Sequence, residues 1–250
     1  MNESRGIATI TPDSPHNRNA LSRQLVEEAH GCLDEAERLD ARAVVLTHEG
    51  PAFCAGADLK ERSTGPTDST PFVRLLERLM DTGRPTIAAV DGAVRAGGIG
   101  LMAACDLVVV NRRVEFALTE VRIGVAAAII SVPILRRVSP AAIAAAMLTG
   151  ERFDADEARS IGLVSHVTDD VPSTVAGLCD GIRAGAPAAV AATKSLLGRV
   201  PDLDRGEAFE AMRELSDELF QGSDAVEGMA AFREKRRPSW DSRDHAEGGR

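Results

Sequence analysis

Short apolar runs alternate with helix-periodic segments through the first half of the chain. Between the first two runs, apolar residues recur every three or four positions over 21–36, and Ser22 is a candidate N-cap. A second helical pattern covers 72–81, after a loop predicted at 63–71. Four segments are predicted to be strands: the weakly alternating residues 6–11 and the apolar runs 43–47, 85–90 and 107–111. Continuous apolar strands that alternate with helices indicate an α/β protein whose sheet is covered on both faces.

The pattern changes at about Pro187, where the strand signals stop. Residues 188–197, 203–220 and 223–237 then read as helices. We therefore expect an α/β core over residues 1–186 and a helical region over 187–250, frayed from 241 onward. The helical region is rich in apolar residues that a small core cannot cover, so it is predicted to be an oligomerisation surface. Five of them recur at helical spacing: Phe209, Met212, Leu215, Leu219 and Phe220.

Charge and composition exclude several classes of protein. The chain of 250 residues is 44% hydrophobic and has a net charge of −9, the wrong sign for binding nucleic-acid phosphates. Its apolar runs are shorter than a membrane span needs, and its N-terminus lacks the apolar stretch of a signal peptide. Four cysteines stand far apart without a CxxC pair, which predicts neither disulfides nor a metal site. We expect a cytoplasmic protein with no nucleic-acid, membrane or metal partner.

Two turns of small residues each follow a predicted strand and lead into a helix. The first spans 51–61 (PAFCAGADLKE) and the second spans 96–100 (AGGIG). Small residues let a ligand approach the backbone, and the N–H groups at a helix start can hold an anion. Two such turns could donate to one oxygen and so stabilise the enolate of a thioester. Ordinary strand-to-helix turns are the alternative interpretation, because neither segment matches a P-loop or GxGxxG pattern.

The order and spacing of five strings resemble the enoyl-CoA hydratase/isomerase (crotonase) family. The resemblance runs over residues 19–236 and implies a crotonase-like α/β spiral of ββα units. It also implies a helical C-terminal trimerisation region, giving a homotrimer or a dimer of trimers. The strings are AFCAGADLKE (52–61), AGGIGLMAACD (96–106), FALTEVRIGV (116–125), LTGERFDADEARSIGLV (148–164) and EGMAAFREKR (227–236).

The same resemblance implies an acyl-CoA substrate and no separate cofactor. The oxyanion donors fall on the backbone N–H groups of Ala57 and Gly97. Arg18 matches a phosphate contact, while Phe232 and Lys235 match positions that reach the coenzyme of a neighbouring subunit. Further coenzyme contacts fall within 55–60: Ala55, Ala57, Asp58, Leu59 and Lys60. Taken by itself, Asp58 is interpreted as a residue that holds its loop in place.

The acid–base residues depart from the usual family pattern. Family hydratases generally use two glutamates; Glu120 matches the second, and Gly100 replaces the first. Two carboxylates suit hydration, which needs water activated at Cβ and a proton delivered to Cα. One carboxylate suits a 1,3-proton shift, as in Δ3,Δ2-enoyl-CoA isomerases. However, the strings around Gly100 and Glu120 resemble a subgroup of branched-chain (methylglutaconyl-type) hydratases that has glycine at the first position.

The sequence therefore predicts an enoyl-CoA hydratase in which Glu120 transfers the proton. A Δ3,Δ2-enoyl-CoA isomerase that uses Glu120 alone is the alternative enzyme, and a non-catalytic acyl-CoA-binding protein is the alternative from another class. Glu120 stands among Phe116, Leu118 and Val121, and an acidic residue in an apolar segment needs a partner or a function. Arg122 could pair either with Glu120 or with the coenzyme.

Overall fold

The computed structural model describes residues 1–63 and 68–241. The predicted loop at 63–71 lies partly outside these ranges, as does nearly all of the predicted frayed segment 241–250. The described residues form ten strands: β1 Asn2–Ser4, β2 Ile7–Ile10, β3 Ala43–Leu46, β4 Ala52–Cys54, β5 Thr86–Val90, β6 Ala93–Arg95, β7 Leu107–Asn111, β8 Glu115–Ala117, β9 Arg152–Asp154 and β10 His166–Thr168.

Eleven α-helices lie in the same ranges. Ser22 caps the first as predicted, since its hydroxyl accepts the Leu25 N–H at 3.2 Å. Short 3₁₀ turns occupy Pro15–Asn17, Glu120–Ile123 and Val200–Asp202. The helices are α1 Arg23–Arg38, α2 Leu59–Arg62, α3 Thr70–Asp81, α4 Gly97–Ala103, α5 Ala128–Leu135, α6 Pro140–Thr149, α7 Ala155–Ser160, α8 Val171–Ala184, α9 Pro187–Arg199, α10 Arg205–Gln221 and α11 Ser223–Glu234.

The strands form two sheets that the chain visits in turn. The larger has the order β1-β2-β3-β5-β7-β10 and is parallel except for the β1–β2 pair. The smaller has the order β4-β6-β8-β9 and is parallel except for β8–β9. Each of β3, β5 and β7 is followed by a strand of the smaller sheet and then by helices. The predicted spiral of ββα units is confirmed.

Both faces of the larger sheet are buried, as the apolar runs predicted. Along β3, Val44 and Leu46 belong to the main core, which the smaller sheet and several helices share. Ala43 and Val45 point to the other face, where Val175 of α8 covers them. A strand buried on both faces has no polar positions to alternate with, so it reads as a continuous apolar run.

The smaller sheet was missed in the sequence. The segment 51–61, predicted as a turn, contains β4, and β6 lies directly before the predicted turn at 96–100. Both strands have three residues, which is too short for an alternating pattern to show. The turn prediction was therefore wrong for residues 52–54, although the small residues 55–57 and 96–98 do follow β4 and β6 directly.

The C-terminal region is helical from Pro187 to Glu234, as predicted, apart from short connections and one 3₁₀ turn. Lys194 anchors it to the core. Its buried ammonium group donates to the carbonyls of Leu79 (2.9 Å) and Arg84 (3.1 Å) and lies 2.9 Å from Asp106 Oδ2. Phe209, by contrast, is 73% exposed on α10. The functional division at residue 187 stays a prediction.

Candidate active site

A cavity of about 430 Å³ brings the three predicted catalytic residues together. Ala57 lines it from the turn after β4, Gly97 from the start of α4, and Glu120 from the 3₁₀ turn after β8. A larger cavity of about 1060 Å³, between the back of the larger sheet and α8, contains none of the predicted site residues. The smaller cavity is therefore the candidate active site.

The two small-residue turns are in contact with each other. A Cβ added to Gly56 would lie 3.4 Å from the amide nitrogen of Gly97 and 2.9 Å from the Cβ of Ala96. A Cβ added to Gly97 would lie 3.7 Å from the amide nitrogen of Ala57. Gly56 also has a φ of +93°, a left-handed conformation that glycine adopts without strain. Small residues at these positions thus let the two backbones meet.

The amides of Ala57 and Gly97 are not used by the fold. Within the described residues, neither N–H donates to a backbone or side-chain acceptor. Gly97 is the first residue of α4, so its N–H has no partner inside the helix. Ala96 precedes it with a φ of +48°, held by a bond from its own N–H to the Ala117 carbonyl at 3.1 Å. Two donors therefore lie side by side at the cavity wall.

Glu120 contributes the one carboxylate among the described residues that line the cavity. Its Oε2 is buried and has no hydrogen-bond partner among the described atoms. Burial raises the pKa of Glu120 above its ordinary value, and a bond from its own backbone N–H opposes this only in part. A carboxylate of raised basicity with an unpartnered oxygen is suited to moving a proton.

Arg122 contacts the backbone at the C-terminal end of α6. Its Nε donates to the Thr149 carbonyl at 2.9 Å, and its side chain packs on Gly150. Thr149 ends α6, so this bond ties the 3₁₀ turn that bears Glu120 to that helix. The sequence left open whether Arg122 pairs with Glu120 or with the coenzyme. In the structure, its Nε bonds instead to a backbone carbonyl.

Ile130 occupies the place where a side chain on residue 100 would project. A Cβ added to Gly100 would lie 2.2 Å from Ile130 Cγ2 and 2.4 Å from Ile130 Cβ. Ile130 is buried, belongs to α5 and lines the cavity. The position at which family hydratases carry their first glutamate is therefore filled here by an alkyl group.

The predicted coenzyme contacts divide into two groups. Ala55 and Leu59 line the cavity beside Ala57. Arg18 lies next to this segment, because its carbonyl accepts the Ala55 N–H at 3.1 Å. The members that do not line the cavity are Arg18, Asp58, Lys60, Phe232 and Lys235.

Asp58 holds its loop in place, as predicted. Its carboxylate caps α2 by accepting the N–H groups of Lys60 and Glu61, and it also accepts from Asn17. The Asn17 bond is the main reason that the pKa of Asp58 lies below its ordinary value. Phe232 and Lys235 were expected to serve a neighbouring subunit, and that expectation stays a prediction.

Several cavity residues were missed in the sequence. Arg62 and Ser69 flank the loop between α2 and α3, while Leu21 lines the cavity from the segment before α1 and Phe72 lines it from α3. The apolar run 125–130 also lines the cavity. Its packing over Gly100 joins positions 30 residues apart, and no local pattern reports such a contact.

Comparison with known proteins identifies the family. A model of the family described as enoyl-CoA hydratase/isomerase matches residues 2–243. The chain belongs to the enoyl-CoA hydratase/isomerase family. It is thus an acyl-CoA-acting enzyme of this family, and the sequence resemblance is confirmed.

Individual relatives match nearly the whole chain. It is 36% identical to the (E)-benzylidenesuccinyl-CoA hydratase of Thauera aromatica, a match covering 95% of this chain and 96% of the relative. It is 32% identical to the enoyl-CoA hydratase EchA19 of Mycobacterium tuberculosis, covering 96% of each. The crystal structure of an enoyl-CoA hydratase of Mycobacterium smegmatis superposes with a TM-score of 0.89 at 33% identity, covering 96% of this chain and 97% of that one. The crotonase fold is therefore confirmed.

No helix within residues 1–63 and 68–241 is both long and apolar enough to cross a bilayer. Histidine, cysteine and acidic side chains form no group of three or more that could hold a metal ion in the same ranges.

Proposed function

We propose that this enzyme is an enoyl-CoA hydratase that adds water to, or removes it from, a 2-enoyl-CoA thioester. The observation that carries the proposal is the convergence of the Ala57 and Gly97 amides with the Glu120 carboxylate in one cavity. The relatives from Thauera and Mycobacterium are named as hydratases, which supports the same activity.

The two amides would hold the thioester oxygen. As water adds to Cβ, the electrons of the double bond move into the thioester and leave negative charge on that oxygen. Two fixed N–H donors stabilise this charge without reorganisation, and one such donor is typically worth about 10²–10³ in rate. Because the fold leaves both N–H groups unused, they are available when the charge develops.

Glu120 would perform both proton transfers. Its carboxylate takes a proton from the attacking water while the hydroxyl group bonds to Cβ. The resulting carboxylic acid then delivers that proton to Cα of the enolate, which closes the cycle. Burial supports this double use, because a raised pKa makes Glu120 a better base and keeps its protonated form accessible.

The filled space above Gly100 favours a second candidate activity. With Ile130 in that space, the cavity offers one carboxylate, which is sufficient for the 1,3-proton shift of a Δ3,Δ2-enoyl-CoA isomerase. A 3-enoyl-CoA substrate separates the two activities: an isomerase converts it to a conjugated thioester, whereas a hydratase removes conjugation from a 2-enoyl-CoA.

The remaining assignments belong to the same proposal. Coenzyme A would lie along Ala55, Ala57, Asp58, Leu59 and Lys60, with a phosphate near Arg18. The hydratase would assemble as a trimer or a dimer of trimers, in which Phe232 and Lys235 reach the coenzyme of a neighbour. It would need no cofactor beyond the coenzyme A of its substrate. The four unpaired cysteines support a cytoplasmic location.

Replacing the carboxylate tests the proposal. Glu120→Gln keeps the size of the side chain but cannot accept a proton, so hydration of crotonyl-CoA should fall by about 10²-fold or more. The matched control is Glu151→Gln, an exposed site outside the cavity, which should retain full activity. If the wild type hydrates no short or branched 2-enoyl-CoA ester, or Glu120→Gln is as active as the wild type, the proposal is wrong.

A further inference from the structure

A segment before α1 pairs with the turn that carries Ala57. The Arg18 carbonyl accepts the Ala55 N–H at 3.1 Å, and the Leu21 N–H donates to the Gly56 carbonyl at 2.8 Å. Leu21 and Ala57 also form an isolated parallel β-bridge. The turn is therefore held by main-chain hydrogen bonds from a distant part of the chain.

The bond from Leu21 fixes the direction of the Ala57 N–H. The Gly56 carbonyl and the Ala57 N–H belong to one peptide unit, which is planar and trans, so the two groups point in opposite directions. Holding this carbonyl 2.8 Å from the Leu21 nitrogen therefore sets the angle of the N–H at the cavity wall. A carbonyl that accepts a hydrogen bond also polarises the N–H of its own unit and so strengthens it as a donor.

The Gly97 N–H is held in a different way. It shares a peptide unit with the Ala96 carbonyl, which accepts the Ile99 N–H at 2.8 Å. Ile99 belongs to α4, so the first turn of that helix fixes the Gly97 donor. The Ala57 donor has no such helix behind it and depends on whatever holds Leu21 in place.

Asn19 joins the segment before α1 to the strand that leads to Ala57. It is 1% exposed. Its Nδ2 donates to the carbonyls of Glu49 at 3.0 Å and Ala52 at 2.8 Å, and its Oδ1 accepts the Ser14 N–H at 2.7 Å. Ala52 is the first residue of β4. One buried amide group therefore ties both sides of the pairing together.

The backbone conformation of Asn19 restricts which residue can do this. Its φ is +55°, in the left-handed region that asparagine, aspartate and glycine tolerate best. Of these three, asparagine alone has a side chain with two N–H donors and an acceptor. Conformation and hydrogen bonding thus select the same residue.

We propose that Asn19 is a positioning residue for the oxyanion site: by holding Leu21 against the Gly56 carbonyl, it aims the Ala57 N–H at the thioester oxygen. This inference rests on the proposed function, because it takes Ala57 as an oxyanion donor. Such a donor acts only where it is aimed at the developing charge, and its removal typically costs about 10²–10³ in rate. Loss of Asn19 leaves the donor present but misaligned, so a smaller effect is expected.

Ionisation of a bound 3-ketoacyl thioester tests the alignment without turnover. Acetoacetyl-CoA loses a proton from Cα to give an enolate that absorbs in the near ultraviolet. Two aligned N–H donors favour that anion, so binding to the wild type should lower the pKa of acetoacetyl-CoA below its value in solution.

Asn19→Gly is the first variant, because glycine keeps the left-handed backbone and removes the side-chain bonds. The ratio of enolate to keto form in the bound ligand should fall about tenfold relative to the wild type, since one of the two donors is misaligned. Butyryl-CoA, which has no acidic enolate form, should bind both proteins with the same affinity.

Asn19→Asp is the second variant and also tolerates the backbone conformation. Its carboxylate can accept the Ser14 N–H but places an oxygen against the carbonyls of Glu49 and Ala52, so the enolate ratio should fall at least as far. The matched control is Asn111→Ala. Asn111 is also buried and also bonds to the backbone, through the Arg113 N–H at 3.1 Å, but lies outside the cavity. This control should have a lower Tm and an unchanged enolate ratio.

An unchanged enolate ratio in folded Asn19→Gly would overturn the positioning role. So would an equal loss of affinity for acetoacetyl-CoA and butyryl-CoA, since Asn19 would then serve binding in general. Hydrogen exchange of the wild type is an independent measurement that needs no variant: the Leu21 N–H should exchange slowly, and fast exchange would overturn the proposal.

The proposed function can fail separately from the positioning role. If Asn19→Gly lowers the enolate ratio while the wild type hydrates no 2-enoyl-CoA ester, the positioning role is supported and the hydratase assignment alone is wrong. If the wild type hydrates such esters and Asn19→Gly keeps the enolate ratio, the hydratase assignment stands and the positioning role is wrong.

Discussion

Ile130 and Gly100 form an interlocking contact between α5 and α4. A Cβ on residue 100 would lie 2.2 Å from Ile130 Cγ2, a distance that real atoms do not reach. The contact has two consequences. It lets the helices approach closely beneath the cavity, and it excludes a carboxylate from position 100 as the structure stands.

We predict that Gly100→Ala alone destabilises the protein by about 3 kcal/mol, the upper end for overpacking a core. Ile130→Ala would not relieve the clash, because the Ile130 Cβ lies 2.4 Å from the added atom. Ile130→Gly would leave the backbone Cα 3.2 Å away, which needs only a small shift. Chemical denaturation should therefore show that the double variant Gly100→Ala/Ile130→Gly loses less stability than the sum of the losses in the two single variants. Strict additivity would contradict the contact.

The same geometry bears on attempts to restore a second carboxylate. Gly100→Glu should fold poorly and gain no activity, since its side chain has no space. Gly100→Glu with Ile130→Gly provides the space, and a gain in crotonyl-CoA hydration there would show that the missing carboxylate limits the rate. Loss of activity without loss of folding in the double variant would show that Ile130 itself serves the reaction.

Gly97→Ala tests the pair of amides. The new methyl group would lie 3.7 Å from the Ala57 nitrogen and would displace an oxygen bound between the donors. Its tightest neighbour is Leu21 Cδ1 at 2.7 Å, the end of a flexible side chain that can rotate away. We therefore expect kcat to fall by about 10²-fold with little change in Tm.

The control for this substitution is Gly177→Ala in α8. A methyl group there meets no atom within 4 Å, and alanine favours a helix by about 0.5–1 kcal/mol over glycine. This variant should be fully active and slightly more stable. If Gly97→Ala also keeps its kcat, the amides do not hold the reacting oxygen.

Glu120 should lower the stability of the folded protein at neutral pH. Its folded pKa is raised above the ordinary 4.5, so the folded state holds the proton more tightly than the unfolded chain does. Below that ordinary value both states are protonated and there is no penalty; above the raised pKa both are ionised and the burial penalty is complete. Glu120→Gln should thus have a higher Tm than the wild type at pH 7, with the difference vanishing in acid.

The pH dependence of wild-type activity should report the ionisation of the same carboxyl group, that of Glu120. Since the base form of Glu120 starts the reaction, kcat/KM should fall as the pH is lowered through a midpoint above 4.5. Coincidence of the kinetic midpoint with the pH above which the Tm difference stops growing would assign both effects to one carboxyl group. A kinetic midpoint at or below 4.5 would contradict the buried position.

Much of the site could be predicted because its chemically important residues lie in short, contiguous sequence segments. The turns around Ala57 and Gly97 and the segment of Glu120 were all visible in the sequence. What could not be predicted depends on packing between distant segments: Ile130 over Gly100, Arg62 beside Ser69, and the three-residue strands of the smaller sheet. Local periodicity reports one face of one element and says nothing about which residue fills the space opposite.

Lys194 is predicted to hold the helical region on the core. Lys194→Met would remove the donor to the Leu79 and Arg84 carbonyls and the cation beside Asp106, whose carboxylate would keep its hydrogen bonds from Thr86. Because Asp106 keeps these bonds and is partly exposed, the loss should be about 3 kcal/mol, the lower end for breaking a buried pair. Denaturation of the variant should show this loss. Asp106→Asn combined with Lys194→Met removes the uncompensated charge and should recover part of it. Unchanged stability of the single variant would mean that α9 is held by its apolar contacts alone.

The exposed aromatic residues of α10 and α11 lead to the last prediction. Phe209, Phe220 and Phe232 are 73%, 68% and 85% exposed, an apolar surface that a stable single chain would not leave in water. Light scattering at micromolar concentration should give three or six times the chain mass of 26.4 kDa. Phe220→Glu should shift the protein toward monomer, while Phe232→Ala should preserve assembly but raise KM if this side chain reaches a neighbour's coenzyme. A wild type that is monomeric under these conditions would exclude both the trimer and the shared coenzyme site.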